Sequence, residues 1–367
     1  MRRFITVLPF LAVFSAFLYV ANLVVYEALA VMFGITSAGA LVALGVGLGV
    51  LSASLIGSTI LGSYFYNFFT RWYYRAAAMW IGFFVYLFFA SVIYGLVVMA
   101  TGQLVAWVGL VLLGAAVLLS LYGFFNARRI VVKEVKVALP NLPSAWRGRR
   151  AVFISDLHLG QLHGPKFAQR VVAAVNALPH DIIFIGGDLY DGTGAPDLSE
   201  LAAPLKQFKA ALGTYFITGN HEEFGDSGKF IEAVRSAGIK NLIDEMTEVD
   251  GLQVIGVDYH NASKRDEFKK ILTSLGIDKD RASILLKHEP KDLDVARDAG
   301  VSLQLSGHTH LGQMWPFGLL AQLIYKGFAY GLKPLGSLQV YTSSGVGTWG
   351  PPMRVGTQSE VVIFTFV

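Results

Sequence analysis

The first third of the chain is nearly free of charge, and this limits its possible fold more than any other feature. Between Phe4 and Asn126 the only formally charged residues are Glu27, Arg71 and Arg75. Over the whole chain 54% of the residues are hydrophobic and 15% are charged, which is too apolar for an ordinary soluble domain. Four apolar stretches exceed the roughly 20 residues that a helix needs to cross a bilayer. They are residues 4–31, 38–64, 76–100 and 104–125. We therefore predict an α-helical transmembrane bundle of four helices.

Basic residues mark one end of each predicted helix. The connections at 34–36 and 101–103 carry no charge. The basic residues on the other side are Arg2, Arg3, Arg71, Arg75, Arg128, Arg129, Lys133 and Lys136. Basic connections of membrane helices face the cytoplasm. We therefore predict an integral protein of a plasma or inner membrane, with both termini and the domain after the fourth helix on the cytoplasmic side.

The remainder of the chain alternates short apolar runs with helical stretches, which is typical of an α/β layered domain. Strands are predicted at 130–139, 151–154, 182–185, 215–217, 253–257, 283–286, 303–305, 338–343 and 360–366. Helices are predicted at 166–177, 198–212, 228–236 and 266–275. The predicted organisation is a transmembrane domain over 1–128, a linker with the first strand over 129–149, and an α/β layered sandwich over 150–367.

Five short polar motifs each follow one of the apolar runs. They are Ser155-Asp156-Leu157-His158, Gly187-Asp188-Leu189-Tyr190-Asp191, Gly219-Asn220-His221-Glu222, Lys287-His288-Glu289 and Gly307-His308-Thr309-His310. Because the carboxyl ends of strands in α/β sheets share one edge, these side chains are expected to meet in one cleft. Such a cleft supplies enough oxygen and imidazole ligands for two divalent cations. His163, His180 and His260 lie outside the motifs and are expected to be structural or at the surface.

Together the motifs resemble those of the calcineurin-like metallophosphoesterase superfamily, over residues 150–367. The metal ligands that this resemblance implies are Asp156, His158 and His310 for one divalent ion, Asn220, His288 and His308 for a second, and Asp188 bridging both. The resemblance also implies that His221 is the acid at the reacting phosphate, with Glu222 beside it. The implied fold is a metallophosphoesterase domain following the transmembrane helices.

Three longer segments are similar to the YkuE/YaeI-type branch of that superfamily. They are 287–290, 307–313 and 345–354. The branch includes membrane-attached phosphodiesterases, transmembrane proteins that carry a metallophosphoesterase domain, and some UDP-2,3-diacylglucosamine hydrolases. The resemblance therefore makes a lipid-linked substrate, such as UDP-2,3-diacylglucosamine, one expectation for this chain.

The chemistry of such a site can also be argued from the residues. Two cations about 3.5–4 Å apart, bridged by one carboxylate, activate water for in-line attack on phosphorus. A protonated His221 can donate to the leaving oxygen, and Glu222 is expected to favour that charged form. Oxygen and imidazole ligands suit Mn, Fe, Zn, Co or Mg, and the absence of cysteine excludes thiolate ligands. The expected function is a membrane-anchored, metal-dependent phosphoesterase acting on a phosphodiester or pyrophosphate.

Several alternatives stay open at this level. Asp191 is either a further carboxylate of the site or a turn residue, and Arg354 is either a phosphate contact or a surface arginine. The apolar segment 314–325 is either packed core or an edge that meets acyl chains. Two other functions are a tethered phosphoesterase for soluble nucleotides or cyclic nucleotides, and a non-enzymatic membrane module with a structural metal site.

The expected partners follow from the same composition. They are the lipid bilayer and a phosphate ester substrate. The net charge of +4 comes without a basic block that contains aromatic residues, so nucleic acid is not an expected partner. No obligate protein partner is evident from the sequence.

Overall fold

The computed structural model describes residues 2–192, 197–224 and 227–367. The chain forms two compact units. One contains the residues up to Gly62 together with 67–124, and the other contains 63–66 together with 125–367. We call them the helical unit and the sheet unit.

The helical unit is built from four long helices. They are α1 (Arg2–Met32), α2 (Ala38–Tyr64), α3 (Phe68–Thr101) and α4 (Ala106–Asn126). All four are long and apolar enough to cross a membrane, which confirms the predicted number of helices.

Helix α3 begins at Phe68, ahead of the predicted apolar stretch. Asn67 caps it, because the Thr70 N–H donates to the Asn67 side chain and the Asn67 N–H donates to the Thr70 hydroxyl, both at 3.1 Å. This reciprocal pair is a capping box. Arg71 therefore lies in the first turn of α3 and not in a loop. The hydropathy pattern missed this start because a charged side chain lowers the local hydropathy without ending a helix.

Close packing and one polar contact hold the helical unit together. Val25 of α1 is fully buried among Phe84 and Leu87 of α3. The Ser52 hydroxyl of α2 donates to the Asn22 side chain of α1 at 3.0 Å. A side-chain hydrogen bond between helices is a common stabilising contact in membranes, where water cannot compete for the donor.

The sheet unit contains two six-stranded sheets. Their strands are β1 (Ile130–Val137), β2 (Arg150–Ile154), β3 (Ile182–Ile185), β4 (Thr214–Phe216), β5 (Lys240–Asn241), β6 (Glu245–Val249), β7 (Leu252–Gly256), β8 (Ser283–Leu286), β9 (Leu303–Ser306), β10 (Gly331–Leu335), β11 (Leu338–Thr342) and β12 (Ser359–Phe366). The strand orders are β1-β12-β2-β3-β4-β5 and β10-β11-β9-β8-β7-β6. Strands β2, β3 and β4 run parallel in the first sheet, and β7, β8 and β9 run parallel in the second.

Alternate side chains of each strand pack on opposite faces of its sheet. In β2, Ala151 and Phe153 enter a core shared with strands of the second sheet, whereas Val152 and Ile154 pack against helices on the outer face. The second sheet is covered on its own outer face by a separate helix layer. The order of layers is helix, sheet, sheet, helix, which confirms the predicted α/β layered sandwich.

Within the described parts of the sheet unit, seven α-helices accompany the strands. They are α5 (Pro165–Asn176), α6 (Leu198–Ala202), α7 (Ser227–Ser236), α8 (Tyr259–Ala262), α9 (Arg265–Ser274), α10 (Leu293–Asp298) and α11 (Phe317–Ile324). The helix predicted over 198–212 is shorter than expected. It changes to a 3₁₀ turn at Ala203–Gln207 because Pro204 has no N–H to continue the α-helical pattern.

Candidate metal centre

The five polar motifs lie where the sequence pattern placed them, directly after strands of the two sheets. Motif residues follow β2, β3 and β4 of the first sheet and β8 and β9 of the second. The loops bend sharply there. Five of the expected metal ligands have positive φ angles: Asp156 (56°), His158 (49°), Asp188 (50°), His308 (70°) and His310 (47°). Such backbone is uncommon outside glycine, and it clusters at functional sites.

The first group of ligand atoms comes from two loops. Side-chain atoms of Asp156, His158 and His310 all lie within 4.8 Å of one another. The Nε2 atoms of the two histidines are 3.0 Å apart, and His310 Nε2 is 3.6 Å from Asp156 Oδ1. Two imidazole nitrogens and a carboxylate oxygen directed at one point form a ligand set for a transition-metal ion.

The second group lies beside the first. Side-chain atoms of Asp188, His288 and His308 lie within 4.8 Å of one another. His308 Nδ1 is also 2.7 Å from Asn220 Oδ1, which adds an amide oxygen to the group. The His288 Nδ1–H donates to the Gly186 carbonyl oxygen at 2.7 Å. This bond holds the proton on Nδ1 and turns Nε2, the nitrogen that would bind a metal, toward Asp188.

Asp188 lies between the two groups. Its Oδ2 atom is 3.2 Å from His288 Nε2 in the second group and 3.8 Å from His158 Nε2 in the first. One carboxylate therefore faces the ligands of both groups, as a bridging ligand must. Gly219 allows this arrangement, because a Cβ atom there would collide with the Asp188 carboxylate.

Burial keeps three of the histidines neutral. It lowers the pKa of His158 and His310 well below the ordinary range, and it lowers the pKa of His308 to about 4. A neutral imidazole has the free lone pair that a metal ion binds. Among the described residues, no hydrogen bond reaches the buried His288 Nε2 atom, which lies in the second ligand group. The donor set therefore fits divalent cations.

The carboxylates respond differently to the same surroundings. Burial raises the pKa of Asp156 to about 6. Burial also raises the pKa of Asp188, but the nearby His288 more than offsets it and holds that pKa well below its usual range. Burial lowers the pKa of His288. The Asp188 carboxylate has the opposite and larger effect, and it raises the pKa of His288 to about 10. Asp188 is thus the carboxylate that stays ionised.

Glu222 holds the loop that carries Asp188. It is fully buried, and its carboxylate accepts hydrogen bonds from the N–H groups of Asp188 (3.0 Å), Tyr190 (3.0 Å) and Gly219 (2.6 Å). Burial, followed by the Asp188 charge, raises its pKa to about 7. The sequence analysis expected Glu222 to lie beside the His221 ring and to favour the charged form of that histidine. In the structure the hydrogen bonds of Glu222 instead join two backbone loops.

The carboxylate that lies against His221 is that of Asp191. Asp191 Oδ1 is 3.6 Å from His221 Nδ1, and the His221 Nδ1–H donates to the Asp191 carbonyl oxygen at 2.7 Å. Asp191, His221 and His158 form a third cluster of potential ligand atoms. Of the two alternatives for Asp191, the structure supports a carboxylate of the site.

The sequence did not indicate the structural role of Arg354 beside the site. It is fully buried, so the surface alternative is wrong. It donates to the carbonyl oxygens of Ser344 (2.7 Å), Gly345 (3.1 Å) and Gly347 (2.6 Å). These bonds hold a loop against the first ligand group, since a Cβ atom at Gly345 would lie 2.7 Å from Asp156 Cβ. Its position within the Gly345–Arg354 segment was the only signal in the sequence.

Comparison with known proteins agrees with this geometry. The family model described as calcineurin-like phosphoesterase matches residues 149–312. A metallophosphoesterase of Aquifex aeolicus is 32% identical, over 68% of this chain and 97% of that protein. The chain belongs to the calcineurin-like phosphoesterase family. The predicted family and its fold are therefore confirmed.

Two further relatives of this phosphoesterase bear on its branch and its helices. YkuE of Bacillus subtilis is 27% identical, over 66% of this chain and 87% of that protein. A zebrafish (Danio rerio) protein named transmembrane protein with metallophosphoesterase domain is 34% identical, over 66% of this chain and 59% of that protein. The chain spans less than two thirds of the length of the zebrafish relative that it matches.

Proposed function

We propose that this protein is a membrane-anchored phosphoesterase that uses two divalent metal ions to hydrolyse a phosphodiester or pyrophosphate bond. The observation that carries the proposal is the position of Asp188, which belongs to the second ligand group and lies 3.8 Å from His158 Nε2 of the first. A structural metal site needs one closed set of ligands. Two adjacent sets that share one carboxylate are typical of hydrolases acting on phosphate esters.

Each ion would have its own ligands. Those of one ion are Asp156, His158 and His310, those of the other are Asn220, His288 and His308, and Asp188 belongs to both. When bound, the two cations supply the Lewis-acid chemistry that activates water and neutralises the phosphate oxygens. The mixed oxygen and nitrogen ligands suit Mn, Fe, Zn, Co or Mg.

His221 supplies the proton for the leaving oxygen. Its Nδ1–H donates to the Asp191 carbonyl oxygen, which fixes the ring and leaves Nε2 to transfer the proton. The Asp191 carboxylate oxygen Oδ1 lies 3.6 Å from the same Nδ1 atom. Neither residue belongs to the two ligand groups on either side of Asp188, and this favours an enzyme over a non-enzymatic membrane module.

The lipid-linked substrate is supported by an exposed apolar helix. In α11 the side chains of Leu319 and Leu323 are 69% and 76% exposed, and Trp315 before the helix is 58% exposed. The helix is followed directly by Tyr325, whose ring centre lies 6.2 Å from that of His308. An apolar surface beside a ligand loop suits acyl chains, so the packed-core alternative for 314–325 is the weaker one.

The four membrane-length helices support a location at the bilayer. The basic connections support a cytoplasmic position for the sheet unit. Only residues 127–129 separate α4 from β1, and this short connection supports action at the membrane surface. A substrate such as UDP-2,3-diacylglucosamine would present its phosphates at that surface.

A hydrolysis screen of the full chain in detergent tests the proposal. Purified protein would be incubated with each candidate metal and with a generic phosphodiester, nucleotides, cyclic nucleotides or a lipid-linked pyrophosphate. We expect metal-dependent hydrolysis of the generic phosphodiester and faster turnover of the lipid-linked substrate. Absence of hydrolysis with every metal would contradict the enzymatic proposal, and a preference for soluble nucleotides would contradict the lipid-linked one.

A further inference from the structure

The segment from Gly345 to Arg354 is distinctive in sequence, yet neither the metal ligands nor the proton donor lie in it. It carries Trp349, whose side chain is 57% exposed. The centre of its indole ring lies 6.0 Å from that of the His221 ring, with an angle of 76° between the ring planes. A large apolar side chain is therefore exposed directly beside the proposed proton donor.

Hydrogen bonds from two other loops fix the backbone on either side of this indole. The Thr348 N–H donates to His163 Nε2 at 3.1 Å, and the His163 ring stacks on Phe167. The Trp349 N–H donates to Gln313 Oε1 at 2.9 Å, and the Gln313 side-chain amide donates back to the Trp349 carbonyl oxygen at 3.1 Å. His163 and Gln313 thus fix the position of the indole by binding the backbone of Thr348 and Trp349.

The same loop is tied to the first ligand group. The Gly347 N–H donates to the Asp156 carbonyl oxygen at 2.9 Å, and Arg354 donates to the Gly347 carbonyl oxygen at 2.6 Å. Glycine is required at 347, because a Cβ atom would collide with the Leu157 carbonyl oxygen. The indole is therefore held at a set position relative to both His221 and a metal-ligand loop.

A single exposed tryptophan is ordinary on a protein surface. Here, however, buried polar side chains fix the backbone that carries the exposed indole ring of Trp349. The Gln313 and Arg354 side chains are 8% and 0% exposed. Fixing a rigid aromatic ring in advance lowers the entropy cost of packing a ligand against it. Aromatic rings favour flat partners, which stack on the face or meet the edge.

We propose that Trp349 is the surface against which the organic part of the leaving group packs, and that this group has a planar aromatic face. The inference rests on the proposed function, since His221 beside the indole protonates the oxygen that the leaving group carries. Trp349 would then determine the specificity among phosphoesters, while the metal ligands provide for the hydrolysis of phosphoesters in general.

Two small substrates with different leaving groups test the inference. Methyl phenyl phosphate and methyl hexafluoroisopropyl phosphate lose alcohols of similar acidity, but only the first leaving group is flat and aromatic. The full chain in detergent would be assayed with Mn²⁺ by phosphorus NMR, for wild type, Trp349→Ala and Trp349→Phe. Trp107→Ala in α4 is a matched control, because that indole is 68% exposed and belongs to the helical unit.

We expect Trp349→Ala to raise KM for the phenyl ester by about three- to tenfold, the size of an aromatic pair, with a smaller change in kcat. On the hexafluoroisopropyl ester KM should change less than twofold. Trp349→Phe should recover most of the loss, and Trp107→Ala should match wild type on both esters.

Other outcomes distinguish a failure of the proposed role of Trp349 from a failure of the proposed phosphoesterase function. Equal losses on the two esters, or a Phe variant as poor as the Ala variant, would overturn the role of Trp349 while leaving the phosphoesterase intact. Wild-type protein that hydrolyses neither ester with any metal would overturn the proposed function, and this inference with it.

Discussion

Replacing Glu222 tests whether this residue acts by holding the loop that carries Asp188. Its carboxylate accepts three backbone N–H bonds in a site without solvent exposure. Glu222→Ala leaves three buried donors unpaired, at about 1–3 kcal/mol each, so the loss should be at least about 3 kcal/mol. For a unit of this size that corresponds to a fall in melting temperature of roughly 6–12 °C. Glu222→Gln keeps one accepting oxygen and should lose less, about 1–3 kcal/mol.

The assay is thermal unfolding of the full chain in detergent, at one fixed metal concentration because bound metal itself raises the melting temperature. Glu245→Ala is the control, since that glutamate is exposed at the start of β6. Activity should fall in parallel with metal content. A Glu222→Ala protein that melts like wild type and retains its metal, yet hydrolyses nothing, would refute the positioning role and return Glu222 to a direct part in the reaction.

Three further outcomes follow from the same structure. His221→Ala should keep its metal by elemental analysis but lose about 10²–10⁴-fold in rate, the usual range for a positioned proton donor; normal turnover would exclude this role. In intact cells an impermeant thiol reagent should label Ser37→Cys and not Lys270→Cys, and the chain has no other cysteine; the reverse pattern would place the sheet unit outside. Changing the exposed Leu319 and Leu323 to serine should slow turnover of a lipid-linked substrate and spare a small phosphodiester, whereas equal loss on both would exclude a lipid-binding role for α11.

The sequence predicted the parts of this fold that depend on local pattern. Membrane helices need only length and apolar composition, so all four were found. The ligand loops were found because parallel strands bring their carboxyl ends to one edge, and Asp156 and Asp188 each follow such a strand. The structure brings Asp156, His158 and His310 together in one cluster and Asp188, His288 and His308 in another, and it forms a third cluster with Asp191 that the resemblance did not imply.

Contacts between distant segments could not be predicted in this way. No periodic pattern indicates that the Glu222 carboxylate reaches two backbone loops, or that Arg354 is buried against carbonyl groups. Both residues are charged, and charged side chains are usually at the surface. Helix α11 was also missed as a helix because Pro316 and Gly318 interrupt its apolar pattern. The structure starts the helix after the proline, where a proline is tolerated.

Metal stoichiometry tests the central claim most directly. Elemental analysis of the purified full chain, after dialysis against each candidate metal, would be compared with Asp188→Ala. Because Asp188 faces both ligand groups, we expect two ions per wild-type chain and almost none in the variant. A wild-type chain that saturates at one ion, or an Asp188→Ala chain that keeps two, would contradict the shared-carboxylate metal centre.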